Sequence, residues 1–450
     1  MNIYDFPLLA FVLPWVVIPD LKPASIIMIF TLGKNVFIAN CLLFFLTSSP
    51  SVSYAFEGAD TCAPRDLSDV ARSLFNMKPK KPKNSAIFVA PVFNSSPTTG
   101  FVFGITGQGA FQVPGSKISA FQANVQYTTK AQVLIFLRNN IYLNKSKIFL
   151  SGDWRYFKYS EPTYGLGTNA PEGAIVNKIN FNGQTMPTDS LAQPMTFNYF
   201  KLHQTASWSV GNGFYVGPGI HLDTYDHIHD LSLDTVSTVK KYTSHYTYSM
   251  KHGFNPTHYT MMGVSLNLMY DTRDNMVNTE KGMFANLNFR TNPTWLGSDK
   301  SSSVLWAEFR AFKKIIPNKN QHVLGVWVIG NFVTGGDVPY LALPAIGYDQ
   351  RSRSGRGYTN GRFRGEQLVD MEAEYRFPIM CNQLISGVVF GSAITTTNKD
   401  ANVNLFDYLK PAGGVGLRFL FNKKAKMNMS IDYAFGQNSS GFYFGASEVF

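Results

Sequence analysis

From Ser85 to Phe450 apolar residues recur at every second position, segment after segment, with turn-forming residues between the segments. A period of two marks a strand with one oily face and one polar face. In "DMEAEYRFPI" the charges Asp370, Glu372, Glu374 and Arg376 share one parity, while Met371, Ala373, Tyr375 and Phe377 share the other. Phe121, Ala123, Val125 and Tyr127 alternate with Gln122, Asn124 and Gln126, and Leu305, Ala307, Phe309 and Ala311 with Trp306, Glu308, Arg310 and Phe312. Met427, Met429, Ile431 and Tyr433 alternate with Asn428, Ser430 and Asp432.

Sixteen segments of this kind are expected, near 85–93, 100–110, 117–127, 131–140, 146–158, 196–209, 213–225, 259–271, 281–291, 302–314, 321–333, 364–377, 383–394, 411–421, 425–436 and 440–450. A soluble sandwich with one wet face would alternate in the same way. Loop length separates the two cases. Connections after even-numbered segments, such as "QVPGS", "LNKS", "VGNG" and "NKK", are short, whereas 159–195, 226–258, 334–363 and 395–410 follow odd-numbered ones and are long. A transmembrane barrel sorts its turns to one side and its loops to the other. Closure also removes the sheet edges that lipid could not satisfy. The fold class expected is therefore all-β: a transmembrane antiparallel β-barrel of about sixteen strands over 85–450, with both ends on the periplasmic side.

Composition agrees with that class. The chain is 15% charged and 45% hydrophobic, with a mean hydropathy of −0.07, which is too polar for a bundle of membrane helices. Beyond the N-terminal region no apolar run approaches the roughly 20 residues of a spanning helix.

Residues 1–55 are expected to be a signal or targeting segment, with Met28 as the alternative start, the apolar core "VFIANCLLFFL" and a small-residue site "SYA" ending at Ala55. Residues 56–84 form a short periplasmic leader and linker, with one helix in "DLSDVARSLFN" and a "KPKKPK" run suited to anionic headgroups. After cleavage, Cys62 in the leader and Cys381 in the turn after the twelfth strand share the oxidising side. They either pair or remain two thiols, since sequence gives no distance.

Other chemistry finds little support. Six of the eight histidines fall between His221 and His258, which reads as a solvated outer loop rather than a metal site, so no metal or cofactor is expected. There is no G-x-S-x-G elbow. An outer-membrane hydrolase would have to use His203 or His322, taken as the strand histidines, and remains a minor alternative. "RSRSGRG" is read as binding lipopolysaccharide phosphate or an internal carboxylate rather than nucleic acid, in a chain of formal charge +11.

"GRGYTNGRFRG" followed by "DMEAEYRFPI" resembles the sixth outer loop and twelfth strand of the bacterial surface antigen superfamily, which includes the BamA and TamA proteins. "APVFNSSPTTGFVFG", "YSEPTYGLG", "YDTRDNMVNTEKGMFANLNF" and the "GGVGLRF" to "GFYFGASEVF" stretch are similar to the same family in the same order. An aromatic close to the last strand, with Phe442, Phe444 and Phe450 on one parity, resembles the assembly signal of outer-membrane barrels.

The resemblance implies an inward-folding sixth loop with a lock motif of Gly355, Arg356, Gly357 and Tyr358. The family pattern suggests an Asp in strand thirteen where this chain has Ser392, which leaves Glu374 as the expected partner of Arg356. Asp370, Glu372, Arg376, Glu308 and Arg310 are expected in the lumen. Residues 56–84 are too short for the client-receiving POTRA domain that family members usually carry, so a periplasmic partner replacing it is one expectation. The others are outer-membrane lipids, lipopolysaccharide and, during biogenesis, the barrel-assembly machinery. The function implied is transport or assembly of proteins or lipids at the outer membrane of a Gram-negative bacterium. A passive ion- or solute-conducting pore is the alternative.

Overall fold

The computed structural model describes residues 62–78, 85–96, 100–168, 178–181, 184–187, 192–238, 240–316, 321–446 and 448–450. The expected signal segment lies outside them, as does most of "KPKKPK". The described residues belong to one compact unit, Gly58–Phe450.

Sixteen strands form one antiparallel sheet in chain order. They are β1 (Ala86–Ser96), β2 (Gly100–Gln112), β3 (Ile118–Thr128), β4 (Val133–Leu143), β5 (Ile148–Thr163), β6 (Gln193–Gly211), β7 (Phe214–Asp230) and β8 (Tyr259–Asp271). The second half comprises β9 (Gly282–Asn292), β10 (Ser302–Lys314), β11 (Val323–Gly336), β12 (Gln367–Pro378), β13 (Ile385–Thr396), β14 (Lys410–Asn422), β15 (Met427–Gly436) and β16 (Ser439–Ala446). Short turns join even to odd strands, and the longest loops follow β5, β7 and β11.

The faces are inside out relative to a soluble protein. In β8, Val264, Leu266 and Leu268 are 42–56% exposed, whereas Ser265, Asn267 and Asp271, on the other parity, are buried. An apolar outer wall around a polar interior is the arrangement lipid requires. No helix among the described residues is long and apolar enough to cross a membrane.

No ladder joins β1 to β16 among the described residues, yet the sheet curls round on itself as a barrel. At the short-turn end one apolar cluster gathers Ala86 of β1, Tyr142 of β4, Tyr215 of β7, Phe284 of β9 and Met427 of β15. The Phe88 ring of β1 meets Phe421 of β14 edge-on at 5.4 Å.

Several expected boundaries move. β6 begins at Gln193 and β7 runs on to Asp230, so these strands stand taller than the alternation indicated. The last strand stops at Ala446 instead of continuing to 450. Glu448, Val449 and Phe450 are buried, with the Phe450 ring stacked on Trp327 at 5.3 Å. Arg376 Nη2 donates to the Phe450 carbonyl at 3.0 Å, and Arg418 Nε to Glu448 Oε2 at 2.6 Å. Hydrogen bonds to inward arginines thus draw the segment off the outer wall.

On the short-turn side, helix α1 (Leu67–Leu74) starts from a capping box in which Asp66 and Asp69 each accept the other's backbone N–H. Cys62 is bonded to Cys381 in the β12–β13 turn. Lys423 Nζ, in the β14–β15 turn, reaches Asp69 Oδ2 at 2.6 Å. The leader is therefore tied to two turns of the barrel rim.

Candidate functional site

The β11–β12 loop, residues 337–366, folds inward and is fastened to both sides of the lumen. Near its tip Asp349 staples a tight turn: Oδ1 accepts from Arg353 N at 3.0 Å, Ser354 N at 2.9 Å and Ser354 Oγ at 2.7 Å. On one side Arg155 Nη2 of β5 donates to the Asp349 carbonyl at 2.9 Å, and Arg138 Nη2 of β4 donates to Ser352 Oγ at 2.9 Å. On the other side stands Arg356 of the Gly-Arg-Gly-Tyr motif.

Arg356 is fully buried. Its Nε donates to Glu372 Oε2 at 3.1 Å and Nη2 to the second Glu372 oxygen, a forked pair. Nη2 also reaches Glu374 Oε2 at 3.2 Å, and Nη1 reaches Asp432 Oδ2 of β15 at 2.9 Å. The guanidinium carbon lies 3.5 Å from the ring centroid of Phe390 on β13. A planar fork that is always charged can satisfy several carboxylates and an aromatic face together, which an ammonium cannot. Ser392, where the family pattern places an acid, sits opposite Glu372 in the β12–β13 ladder. Glu372, Glu374 and Asp432 supply the carboxylates instead.

Further pairs extend the network. Arg376 Nε donates to Glu374 Oε1 at 2.6 Å, and Arg418 joins Asp432 to Glu448. Arg356, Arg376 and Arg418 thus interleave with Glu372, Glu374, Asp432 and Glu448. Such a buried set contributes little net stability when complete, because desolvation offsets attraction, but removing one member is costly. Through Arg356 the set ties the loop to β12 and β15.

The flanking motif residues fix the backbone. Gly355 and Gly357 have φ of 72° and 99°, a region L side chains rarely adopt, and Gly355 N donates to Asp370 Oδ2 at 2.8 Å. Tyr358 Oη donates to the Pro411 carbonyl at 2.7 Å, and its ring lies against Gly436, where an added Cβ would sit 2.4 Å from it.

The opposite wall holds a second polar group around a cavity of about 270 Å³ lined by Asp153, Lys201, His203, Asp223, Arg290 and Gln350. Asp223 accepts from Tyr199 Oη at 2.8 Å and Arg290 Nη1 at 2.6 Å, and pairs with His203 Nε2 at 2.8 Å. Above it, at the long-loop end, Tyr199, Tyr225, Tyr259, Tyr340 and Leu341 close an apolar layer.

Of the residues singled out from sequence, Gly355, Arg356, Gly357, Tyr358, Asp370, Glu372, Glu374 and Arg376 come together. Glu308 and Arg310 pair with each other on β10, with Trp327 Nε1 donating to Glu308 at 2.8 Å. Phe442 and Phe444 face outward from β16, whereas Phe450 is buried in the barrel, so the three share no face. Asp432, Arg418, Glu448 and Phe390 were missed as partners of the lock. Parity already turned Asp432 inward, but nothing in the sequence said that β15 would stand beside the loop.

The histidine reading needs correction. His221, His227 and His229 lie on β7, and His322 falls just before β11. His245 is buried in helix α2 (Ser244–Lys251), where its Nδ1 pairs with Asp230 Oδ2 at 2.8 Å and its Nε2 lies 3.4 Å from Ser249 Oγ. This resembles a hydrolytic relay, but Ser249 and His245 are both 0% exposed, so no substrate reaches the hydroxyl.

Residues 211–450 match the Omp85 superfamily domain. No curated protein matches the chain. Among solved structures, BamA from Haemophilus ducreyi lacking POTRA domains 1-3 is similar over 82% of this chain and 71% of that one, at 14% identity and a TM-score of 0.48. CdiB from Acinetobacter baumannii is similar over 80% of this chain and 59% of that one, at 12% identity and a TM-score of 0.44.

Proposed function

Because the chain belongs to the Omp85 superfamily, we propose that it works at the outer membrane of a Gram-negative bacterium in transport or assembly, moving polypeptide or lipid into or across the bilayer rather than acting as an enzyme. The observation that carries this reading is the buried Arg356, which ties the inward loop to β12 and β15 through Glu372, Glu374 and Asp432. A permanently open pore has no use for a loop fastened across its lumen. A loop held by a few breakable ion pairs is suited to being displaced by cargo. The apolar layer at the long-loop end and the charged network beneath it favour a gated device over a passive pore in the same way.

The test is reconstitution into liposomes. An unfolded outer-membrane barrel is added, and its gain of detergent-resistant gel mobility is followed beside the transbilayer exchange of a headgroup-labelled lipid. Wild type is expected to accelerate one of the two severalfold over empty vesicles, with Arg356→Ala impaired. Acceleration of neither, together with a steady ion leak, overturns the proposal in favour of the pore.

A further inference from the structure

On the outer wall at the long-loop end the barrel has a step. β5, β6 and β7 contain 16, 19 and 17 residues, against 11 in β4. Val133, the first residue of β4, pairs with Lys158, and β5 continues to Thr163, roughly 17 Å further along the strand at 3.3 Å per residue. The turn before β4 therefore sits beside a taller three-strand panel. Between them lies a groove of about 790 Å³, lined by Lys130 from the turn, Tyr156, Lys158 and Ser160 from β5, Thr196 and Asn198 from β6, and His227 and His229 from β7.

Register shows how the panel presents these groups. Ser160 pairs with Thr196 and Thr196 with His229, so this row turns outward together. The row below joins Lys158, Asn198 and Asp226, where β7 carries a bulge. His227 at that bulge has φ 51° and is exposed, with Asn198 Nδ2 bonded to both Asp226 Oδ1 (2.6 Å) and His227 Nδ1 (3.2 Å). One step lower the outward residues become aromatic: Tyr156 and Phe200 are paired and 40–44% exposed, followed by Trp154. Aromatic side chains at such a level mark the boundary between acyl chains and headgroups. The groove opens directly above that boundary, at headgroup depth, and offers two lysines, two histidines and several neutral hydrogen-bonding groups against the single carboxylate of Asp226.

From this juxtaposition we infer that the β4–β7 step is a binding site for the phosphorylated sugar headgroup of an outer-leaflet glycolipid. Lys130 and Lys158 hold the phosphate, the histidines and Ser160, Thr196 and Asn198 meet sugar hydroxyls, and Tyr156 and Phe200 lie along the first acyl carbons. A lipid is preferred to soluble phosphate because the groove is continuous with the lipid-facing wall. The site rests on the outer-membrane placement proposed above and goes beyond it by naming a ligand class and its residues.

The test uses the folded full-length barrel in detergent, with bisphosphorylated lipid A as probe and retention read by native mass spectrometry. Wild type is expected to retain lipid A. The Lys130→Gln, Lys158→Gln double variant should bind about tenfold or more weakly, since each near-surface lysine contributes about fivefold. Enzymatically dephosphorylated lipid A should bind as weakly to wild type. Lys424→Gln, at the opposite rim, controls for net charge, and heat-dependent gel mobility confirms that each variant is folded. Equal retention of the dephosphorylated lipid, or an unchanged double variant, overturns the inference. Displacement by millimolar inorganic phosphate overturns the choice of a lipid over a free anion. Fractionation of cells separates this from the reading beneath it: a chain absent from the outer membrane that still binds lipid A defeats the placement, whereas one present there that retains none defeats the site.

Discussion

Arg356 of the inward loop and Asp432 of β15, separated by 76 residues in sequence, meet at 2.9 Å and are both fully buried. With Glu372 and Glu374 on β12, they connect a loop to two strands that are not neighbours in the sheet. The loop thereby reports on how β12 to β15 are arranged, and those strands determine whether the loop stays in.

Removing the cation leaves the buried Glu372 without its partner and takes one of two cations from Glu374 and Asp432, which keep Arg376 and Arg418. Arg356→Ala is expected to cost about 3–5 kcal/mol, read as a lower denaturant midpoint for loss of heat-dependent gel mobility. Arg356→Lys should recover only a small part, because an ammonium cannot make the fork to Glu372. Combining Arg356→Ala with Glu374→Gln should cost clearly less than the sum of the two. Strict additivity would show that the pair is not coupled.

Thiol labelling of the unreduced, denatured protein should leave Cys62 and Cys381 unmodified, and both should react after reduction. Reduction should also open residues 62–78 to protease, because the non-covalent contacts of Asp66, Asp69 and Arg65 to the barrel turns must then hold the leader without the disulfide. Two labels without reductant would rule the bond out.

Glu280, in the β8–β9 turn, is partly desolvated, which by itself raises its pKa. Lys314 at 2.6 Å and Lys426 at 3.0 Å outweigh that and hold it below the ordinary carboxylate value. A lowered folded-state value means the contribution is fully present above the unfolded value near about 4.3 and is lost as pH falls through the folded one. Glu280→Gln should therefore lower the denaturant midpoint at pH 7 and flatten its decline below about pH 4. An identical pH profile in variant and wild type would contradict this.

The Tyr358 ring occupies the space a side chain at position 436 would need. Gly436→Ala should push Tyr358 off Pro411 and loosen the loop without touching any charge, seen as faster cleavage between 350 and 360 by protease added from the long-loop side. Unchanged cleavage would mean the ring contact does not hold the loop.

How much of this was legible beforehand follows the physics of each feature. Strand count and facing were readable because the side-chain period of two is local, so Asp370, Glu372, Glu374 and Arg376 faced inward on parity alone. The loop lock was half readable. A Gly-Arg-Gly-Tyr loop before an acidic strand called for an internal carboxylate, but the choice among acids depends on which strands the loop crosses, and that is non-local. Asp432 and Phe390 were therefore missed and Glu374 was named first, although Glu372 makes the forked pair. Phe450 was misplaced for a related reason: alternation continues through "FYFGASEVF", and groups remote in sequence, Arg351, Arg376 and Arg418 among them, draw 448–450 inside. The height of β6 and β7 was underestimated because the added ends, 193–195 and 226–230, carry Gln, Pro, Asp and His, which read as loop when no partner strand is in view.

The central claim is that Arg356 fastens a plug in the lumen of an Omp85-superfamily barrel. Single-channel recording in planar bilayers tests it most directly. Wild type should show a small, flickering conductance, and Arg356→Ala a larger one with long open events, as the loop leaves the lumen. A large, steady wild-type current that Arg356→Ala leaves unchanged would contradict the account.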